Sequence, residues 1–205
     1  MVRLLSLFGL KRLLGTNVVD LSGVSTPLPL GLTNNCDDSP RHRILGSTQP
    51  LLDVLTKYPR PERKRRSVLL SFNESTSPRH RTQPLRLLKG QPDVTYIHVD
   101  YSAHGRRSYL EAVGSHEFVV CPRGNGIDTH RFWESLYCGS TPVVKRGQMI
   151  DSLLEQYPAW IVDDWDEVLD PAQRNAATQK LSEQMWDVSK LTQTYWNRHI
   201  EAFVI

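Results

Sequence analysis

Five short apolar runs between Val68 and Asp163, separated by longer amphipathic stretches, restrict this chain to very few folds. The runs occupy 68–72, 94–99, 118–121, 142–145 and 160–163. They are rich in β-branched or aromatic residues and too short for buried helices. The stretches between them carry helical spacing near 81–89, 106–114, 129–138 and 149–156. Strands alternating with helices make βαβ units, and these build a parallel sheet covered on both faces. The pattern predicts an α/β fold with a doubly wound parallel sheet. Ligands of such sheets bind beyond the carboxyl ends of the strands, where the strand order reverses. The loops after Phe72, Val99, Cys121 and Lys145 are therefore the first places to look for a site. After Pro171 the tail reads as helical, with apolar or aromatic residues at Leu181, Met185, Trp186, Leu191, Tyr195 and Trp196.

Residues 1–66 break this pattern. They hold Thr26-Pro27-Leu28-Pro29-Leu30-Gly31-Leu32 and the polar loop Asn34-Asn35-Cys36-Asp37-Asp38-Ser39-Pro40. Such punctuation suits a linker with short extended pieces better than a packed sheet. The expected organisation is an N-terminal segment, 1–66, followed by a domain, 67–205. A net charge of +3 over 205 residues is too small to mark a nucleic-acid binder. The basic run 60–66 lacks neighbouring aromatics for base stacking and reads as a solvated linker entering a strand. Cys36, Cys121 and Cys138 show neither zinc spacing nor a disulfide framework, and the latter two read as small buried hydrophobes. The apolar residues 1–12, interrupted by Arg3, Lys11 and Arg12, are too few to span a bilayer. They read as a buried helix, with a weak amphipathic anchor as the alternative. Neither a phosphate loop of the nucleoside-triphosphatase type nor a serine nucleophile elbow occurs in the sequence.

The densest chemistry follows the third run. Cys121-Pro122-Arg123-Gly124-Asn125-Gly126 leaves the strand, Asp128-Thr129-His130-Arg131 opens a helix, and Gly139 closes it. Two glycines let backbone amides approach a ligand closely. A helix start adds donors and the positive end of a dipole. Arg123 and Arg131 suit a diphosphate, which they can hold through forked hydrogen bonds. The competing reading is local: Asp128 or Thr129 caps the helix and occupies a first-turn donor, while Arg131 pairs with Glu134. If Asp128 caps, an anion meets Arg123, Arg131 and the amides from Gly124 to Gly126 rather than the helix end. Phe132, Trp133, Leu136 and Tyr137 form the side expected to face the sheet, which leaves Glu134 off the core. A carboxylate there accepts both hydroxyls of a ribose, or else is an exposed surface residue.

Taken whole, the segment resembles the donor site of exostosin-like and related GT-B glycosyltransferases. The likeness rests on Cys121-Pro122-Arg123-Gly124, on Asp128-Thr129-His130-Arg131-Phe132-Trp133-Glu134, and on Gly139-Ser140-Thr141-Pro142-Val143-Val144, in that order and spacing. Weaker similarity extends to Pro27-Leu28-Pro29-Leu30-Gly31-Leu32 and to Leu70-Ser71-Phe72-Asn73 with Arg79. The resemblance implies a Rossmann-like donor-binding domain. It assigns the ribose to Glu134 and the diphosphate to Arg123 and Arg131, with Gly124, Asn125 and Gly126 as the loop. His130 would meet the phosphate or the sugar edge, and Asn73 would line the same cleft. It further implies transfer from a nucleoside-diphosphate sugar to a carbohydrate or glycoconjugate acceptor, with no metal and no other cofactor. No catalytic base is identified, because GT-B enzymes usually draw it from a second domain of similar size. The 66 residues before the donor domain are too few for that partner, so the chain is expected to be a fragment, a divergent short form, or a subunit that needs a companion domain or subunit. Gly126 also stands where many GT-B proteins carry a second acid. The chain is expected to be soluble if complete, and membrane-associated or resident in the Golgi if it is a fragment.

Two further readings stay open. Asp164-Trp165-Asp166 is the kind of acidic triplet that holds a divalent metal against the donor diphosphate in GT-A transferases, and equally a helix cap. Alternatively, a donor-like domain without its acceptor domain binds a partner and turns nothing over. Trp186, Tyr195 and Trp196 would then form a contact face, unless the tail packs back on the sheet.

Overall fold

The computed structural model describes residues 13–19, 24–33, 40–57 and 65–202. The apolar stretch 1–12, the loop with Cys36 and the basic run as far as Lys64 lie outside these residues. A small parallel pair, β1 (Leu13–Gly15) and β2 (Ser25–Pro27), comes first. Two helices follow, α1 (Pro40–Leu45) and α2 (Gln49–Lys57). The main sheet holds β3 (Arg65–Leu70), β4 (Val94–Tyr96), β5 (His116–Val120), β6 (Thr141–Lys145) and β7 (Trp160–Val162). All its pairings are parallel, in the order β4-β3-β5-β6-β7. Each strand falls on one of the five apolar runs.

The side-chain alternation of strands explains why those runs are continuously apolar. Val68, Leu70, Phe118, Val120, Val143, Trp160 and Val162 point to one face, while Leu69, Val119, Cys121 and Val144 point to the other. The first face is covered by α3 (Pro78–Leu88) through Leu88, by the 3₁₀ turn Trp165–Leu169, and by α7 (Pro171–Ser182) through Ala177. The second is covered by α2, α4 (Ala103–Ser115), α5 (His130–Tyr137) and α6 (Asp151–Leu154). From β3 the chain winds outward to β4 over one face, then returns through α4 over the other to place β5 on the far side of β3. This is a doubly wound sheet of the Rossmann-like kind, with its switch point between β3 and β5.

The N-terminal segment is more structured than its punctuation suggests. Helix α2 buries Leu51 and Val54 in the same cluster as Leu69, Leu110 and Val113, and α2 lies against α4. Its sequence 49–57 lacks the proline and glycine density of the residues around it, which mask a short amphipathic helix when composition is averaged. At the other end, α8 (Gln193–Glu201) returns toward the sheet domain. Trp196 packs on the second-face cluster and donates from Nε1 to the Lys190 carbonyl at 2.7 Å. Trp186 donates to the Leu181 carbonyl at 3.0 Å, whereas Met185 and Val188 stay exposed. Cys121 and Cys138 are buried free thiols, and burial pushes the Cys121 thiol up to about 12. No helix among the described residues is long and apolar enough to cross a membrane.

Candidate functional site

A cavity of about 280 Å³ opens at the switch point. Three of the four loops singled out by the strand pattern line it: Ser71, Asn73 and Thr76 after β3, His98 to Tyr101 after β4, and Gly124, Asn125, Asp128 to Arg131 and Glu134 after β5. Leu30, Thr33 and Leu45 close it from the N-terminal segment, and Arg81, Arg106 and Tyr109 enter from α3 and α4. The loop after β6 does not reach it.

Its lining carries three arginines, Arg81, Arg106 and Arg131, and three carboxylates, Asp100, Asp128 and Glu134. Arg81 is 6% exposed and is held by hydrogen bonds from Nε to the Arg123 carbonyl (3.0 Å) and from Nη1 to the Asn73 carbonyl (2.8 Å). Burial, reinforced by the nearby Arg131 charge, pushes its pKa down to about 10, so it stays cationic at neutral pH. Arg131 lies with its guanidinium carbon 5.8 Å from the Phe72 ring centre, and Arg81 is 5.7 Å from the same ring. The Arg131 Nε is buried without a hydrogen-bond partner, and neither arginine has an ion-pair partner among the described residues. Two adjacent like charges repel, and an anion bound between them relieves that repulsion.

The start of α5 adds donors. Thr129 is the N-cap residue but makes no side-chain cap, and its buried hydroxyl has no partner among the described residues. The capping expected of Asp128 is not formed either. Its Oδ1 accepts from the Thr129 amide (2.7 Å) and the Trp133 indole (2.9 Å), and its Oδ2 from the Leu30 amide (2.7 Å). The amides of His130 and Arg131 are thus left uncapped. Asp128 serves a distant contact because it is buried, which raises its pKa and favours the dense set of N–H donors around it.

The residues expected from sequence are partly brought together. Asn73, Gly124, Asn125, His130, Arg131 and Glu134 line the cavity, while Arg123 and Gly126 are not among its lining residues. Arg123 contributes its carbonyl to Arg81, and it is Arg81 that occupies the cavity. The two glycines admit protein side chains: a Cβ on Gly124 would stand 2.8 Å from Arg81 Nη2, and one on Gly126 only 2.1 Å from Asn17 Oδ1. His130 gives Nδ1 to the Gly31 carbonyl at 2.7 Å, and Asn73 caps the turn Glu74–Thr76 by accepting from Ser75. Glu134 is not off the core. It is 4% exposed, with Oε1 at 2.6 Å from Arg106 Nη1 and Oε2 accepting the Tyr109 hydroxyl at 2.9 Å. The side of α5 turned away from the sheet meets α4, so Glu134 finds Arg106 there rather than water, and the Arg131–Glu134 pair of the competing local reading does not form.

Arg81 and Arg106 escaped the sequence reading, yet a signal existed. Arg81 shares a helical face with Leu85 and Leu88, and Arg106 shares one with Leu110 and Val113. An arginine in the core phase of an amphipathic helix needs a buried partner or an anionic ligand. The acidic triplet lies elsewhere. Asp164 caps the turn Trp165–Leu169 in a capping box with Glu167 and pairs with Lys145 at 3.1 Å, outside the cavity lining. The fold and cavity together define an α/β protein with a Rossmann-like parallel sheet and, at its switch point, a pocket lined by three arginines and three carboxylates. No protein-family model matches the chain, and no curated protein matches it in sequence.

Proposed function

We propose that this pocket binds a nucleoside-diphosphate sugar, and that the chain is the donor-binding part of a GT-B glycosyltransferase of the exostosin-like kind. One observation carries the reading: Arg131 Nε, the Thr129 hydroxyl and the uncapped start of α5 converge at the switch point with no acceptor among the described residues, beside Arg81, which has no ion-pair partner there. A diphosphate fits such a set, being doubly anionic and able to accept from several directions. In the transfer, the sugar–phosphate bond breaks and negative charge builds on the leaving diphosphate. Preorganised guanidinium groups and helix amides stabilise that charge without reorganising. The acceptor hydroxyl loses its proton to a base supplied by a companion domain or subunit. Consistent with that, the pocket's own carboxylates are engaged. Asp128 accepts three N–H groups, Glu134 is paired with Arg106 and Tyr109, and Ser102 donors hold Asp100 below the usual carboxylate range. The same engagement favours a second reading, in which the chain binds the nucleotide sugar for a partner and turns nothing over alone.

The test is calorimetric titration in EDTA with pyrophosphate, UDP, GDP and their sugars, on the native chain and on Arg131→Leu. The reading expects saturable binding to the native chain. It expects the variant to lose about tenfold or more in affinity, the scale of one charge-assisted hydrogen bond. Thermal stability of the variant should hold or rise, because the buried Arg131 Nε has no hydrogen-bond partner among the described residues and leucine keeps an apolar contact with Phe72. Absence of binding by folded protein, or equal affinity in the variant, refutes it. Sugar transfer that appears only when a companion chain is added would separate the second reading from an enzyme complete in itself.

A further inference from the structure

We infer that the N-terminal strap, made of β1, β2 and residues 28–33, is a lid whose closure and anion binding at the start of α5 reinforce each other, with Asp128 as the coupling group. The inference rests on the proposed anion-binding reading and concerns how that site is opened and closed. The strap is built as a unit of its own. Its two strands pair with each other, apart from the main sheet. Bonds inside it run from the Leu13 amide to the Val24 carbonyl and from the Leu28 amide to the Gly15 carbonyl, both at 2.8 Å, and do not involve the pocket. Against the second-face cluster it lays Leu30 and Leu32, each only half-buried. A segment with so little buried apolar surface opens locally without unfolding the sheet.

Asp128 stands between this strap and the anion site. Its Oδ2 accepts the Leu30 amide, and its own amide donates to Asn17 Oδ1 at 2.9 Å. Held in this way, the carboxylate leaves the amides of His130 and Arg131 uncapped, next to the Arg131 Nε and the Thr129 hydroxyl. Withdrawal of the strap removes the Leu30 donor from a buried carboxylate, which then needs another. An aspartate just before an N-cap residue finds one in the amides two or three positions on, the local capping that its place in the sequence favours. There its charge excludes an anion from the same donors. The closed strap therefore keeps Asp128 off the anion site. It also sets Leu30 and Thr33 in the cavity wall, where exclusion of water strengthens the attraction between ligand and arginines. By linkage, a bound anion favours the closed strap by the factor by which closure favours the anion.

The experiment follows amide hydrogen exchange in EDTA at neutral pH, with and without saturating pyrophosphate, whose binding is checked by calorimetry. In the native chain pyrophosphate should slow exchange at the Leu30 amide by about fivefold or more, the lower end of ordinary coupling between sites. The Leu28 amide is bonded within the strap and moves with it, so it should slow by less than about twofold. Asn17→Gly, which loosens the strap without touching the cavity lining, should speed exchange at Leu30 in the free chain, and pyrophosphate should slow it again. Asp128→Asn keeps an acceptor for Leu30 but removes the excluding charge, so the slowing there should shrink to less than half its native factor. Unchanged exchange at Leu30 with pyrophosphate bound overturns the lid, as does equal slowing at Leu30 and Leu28, which is general stabilisation. Native slowing retained in Asp128→Asn overturns Asp128 as the coupling group. Those outcomes leave anion binding standing. If pyrophosphate does not bind at all, the functional reading fails and this inference fails with it.

Discussion

At the scale of single residues, the pocket is governed by arginines placed where helices normally put leucine. Arg106 is tolerated at its buried position because Glu134 neutralises it, and Glu134 is tolerated because Arg106 and Tyr109 do the same for it. The net worth of such a pair is small, but breaking it leaves an uncompensated buried charge. Glu134→Ala is accordingly expected to lower unfolding free energy by about 3–5 kcal/mol, measured by urea titration. A loss under about 1 kcal/mol would show that Arg106 finds water or another acceptor when Glu134 is gone. Arg131 is the opposite case. Its charge makes no ion pair among the described residues and only a ring contact with Phe72, so its removal should cost ligand and largely spare the fold. That contrast between two residues three apart on one short helix separates structural charge from charge held ready for a ligand.

At the scale of elements, the segment carrying β1 and β2 is fastened to the start of α5 by three hydrogen bonds. Asn17 Oδ1 accepts from the Asp128 amide (2.9 Å), the Leu30 amide donates to Asp128 Oδ2 (2.7 Å), and His130 Nδ1 donates to the Gly31 carbonyl (2.7 Å). Asn17 adopts φ +57°, a left-handed conformation that asparagine tolerates, and its amide lies in the space that a side chain at residue 126 would fill. Gly126→Ala should therefore dislodge this fastening, at a cost of about 1–3 kcal/mol for overpacking. In an Asn17→Gly background, which keeps the left-handed backbone and removes the obstructing amide, the cost should fall by more than half. The double-mutant cycle reads the coupling directly, and additive effects would rule out the contact as the reason for the glycine. Since Leu30 and Thr33 line the cavity, loss of this fastening should also weaken pyrophosphate binding.

At the scale of the molecule, the sheet and the N-terminal helices share one core. Leu51 and Val54 of α2 are buried with residues from β3, α4 and α5. Leu51→Ala is expected to cost about 2–5 kcal/mol, as a leucine truncation in a packed core does. It should shift the far-ultraviolet circular dichroism and tryptophan fluorescence transitions together. A change within about 0.5 kcal/mol would instead make α2 an appendage. The cavity's position follows from the same packing. Reversal of winding between β3 and β5 splays the loops at their carboxyl ends, and α3 and α4, on opposite faces, send one arginine each into the gap.

What the sequence determined alone is what short-range periodicity can encode. Continuous apolar runs specify strands buried on two faces, and the intervening helical stripes specify crossovers; together they set a parallel sheet and point to its carboxyl end. That the loop after β5 lines the cavity was legible for the same local reason. The partners of its polar groups were not, because they come from elements far along the chain. Glu134 meets Arg106 across 28 residues, the Arg123 carbonyl meets Arg81 across 42, and the Asp128 amide meets Asn17 across 111. Which charge is paired and which left open depends on how two helices and a strap close over one sheet edge. Periodicity says which side of a helix turns inward, and only the packed structure decides what that side meets.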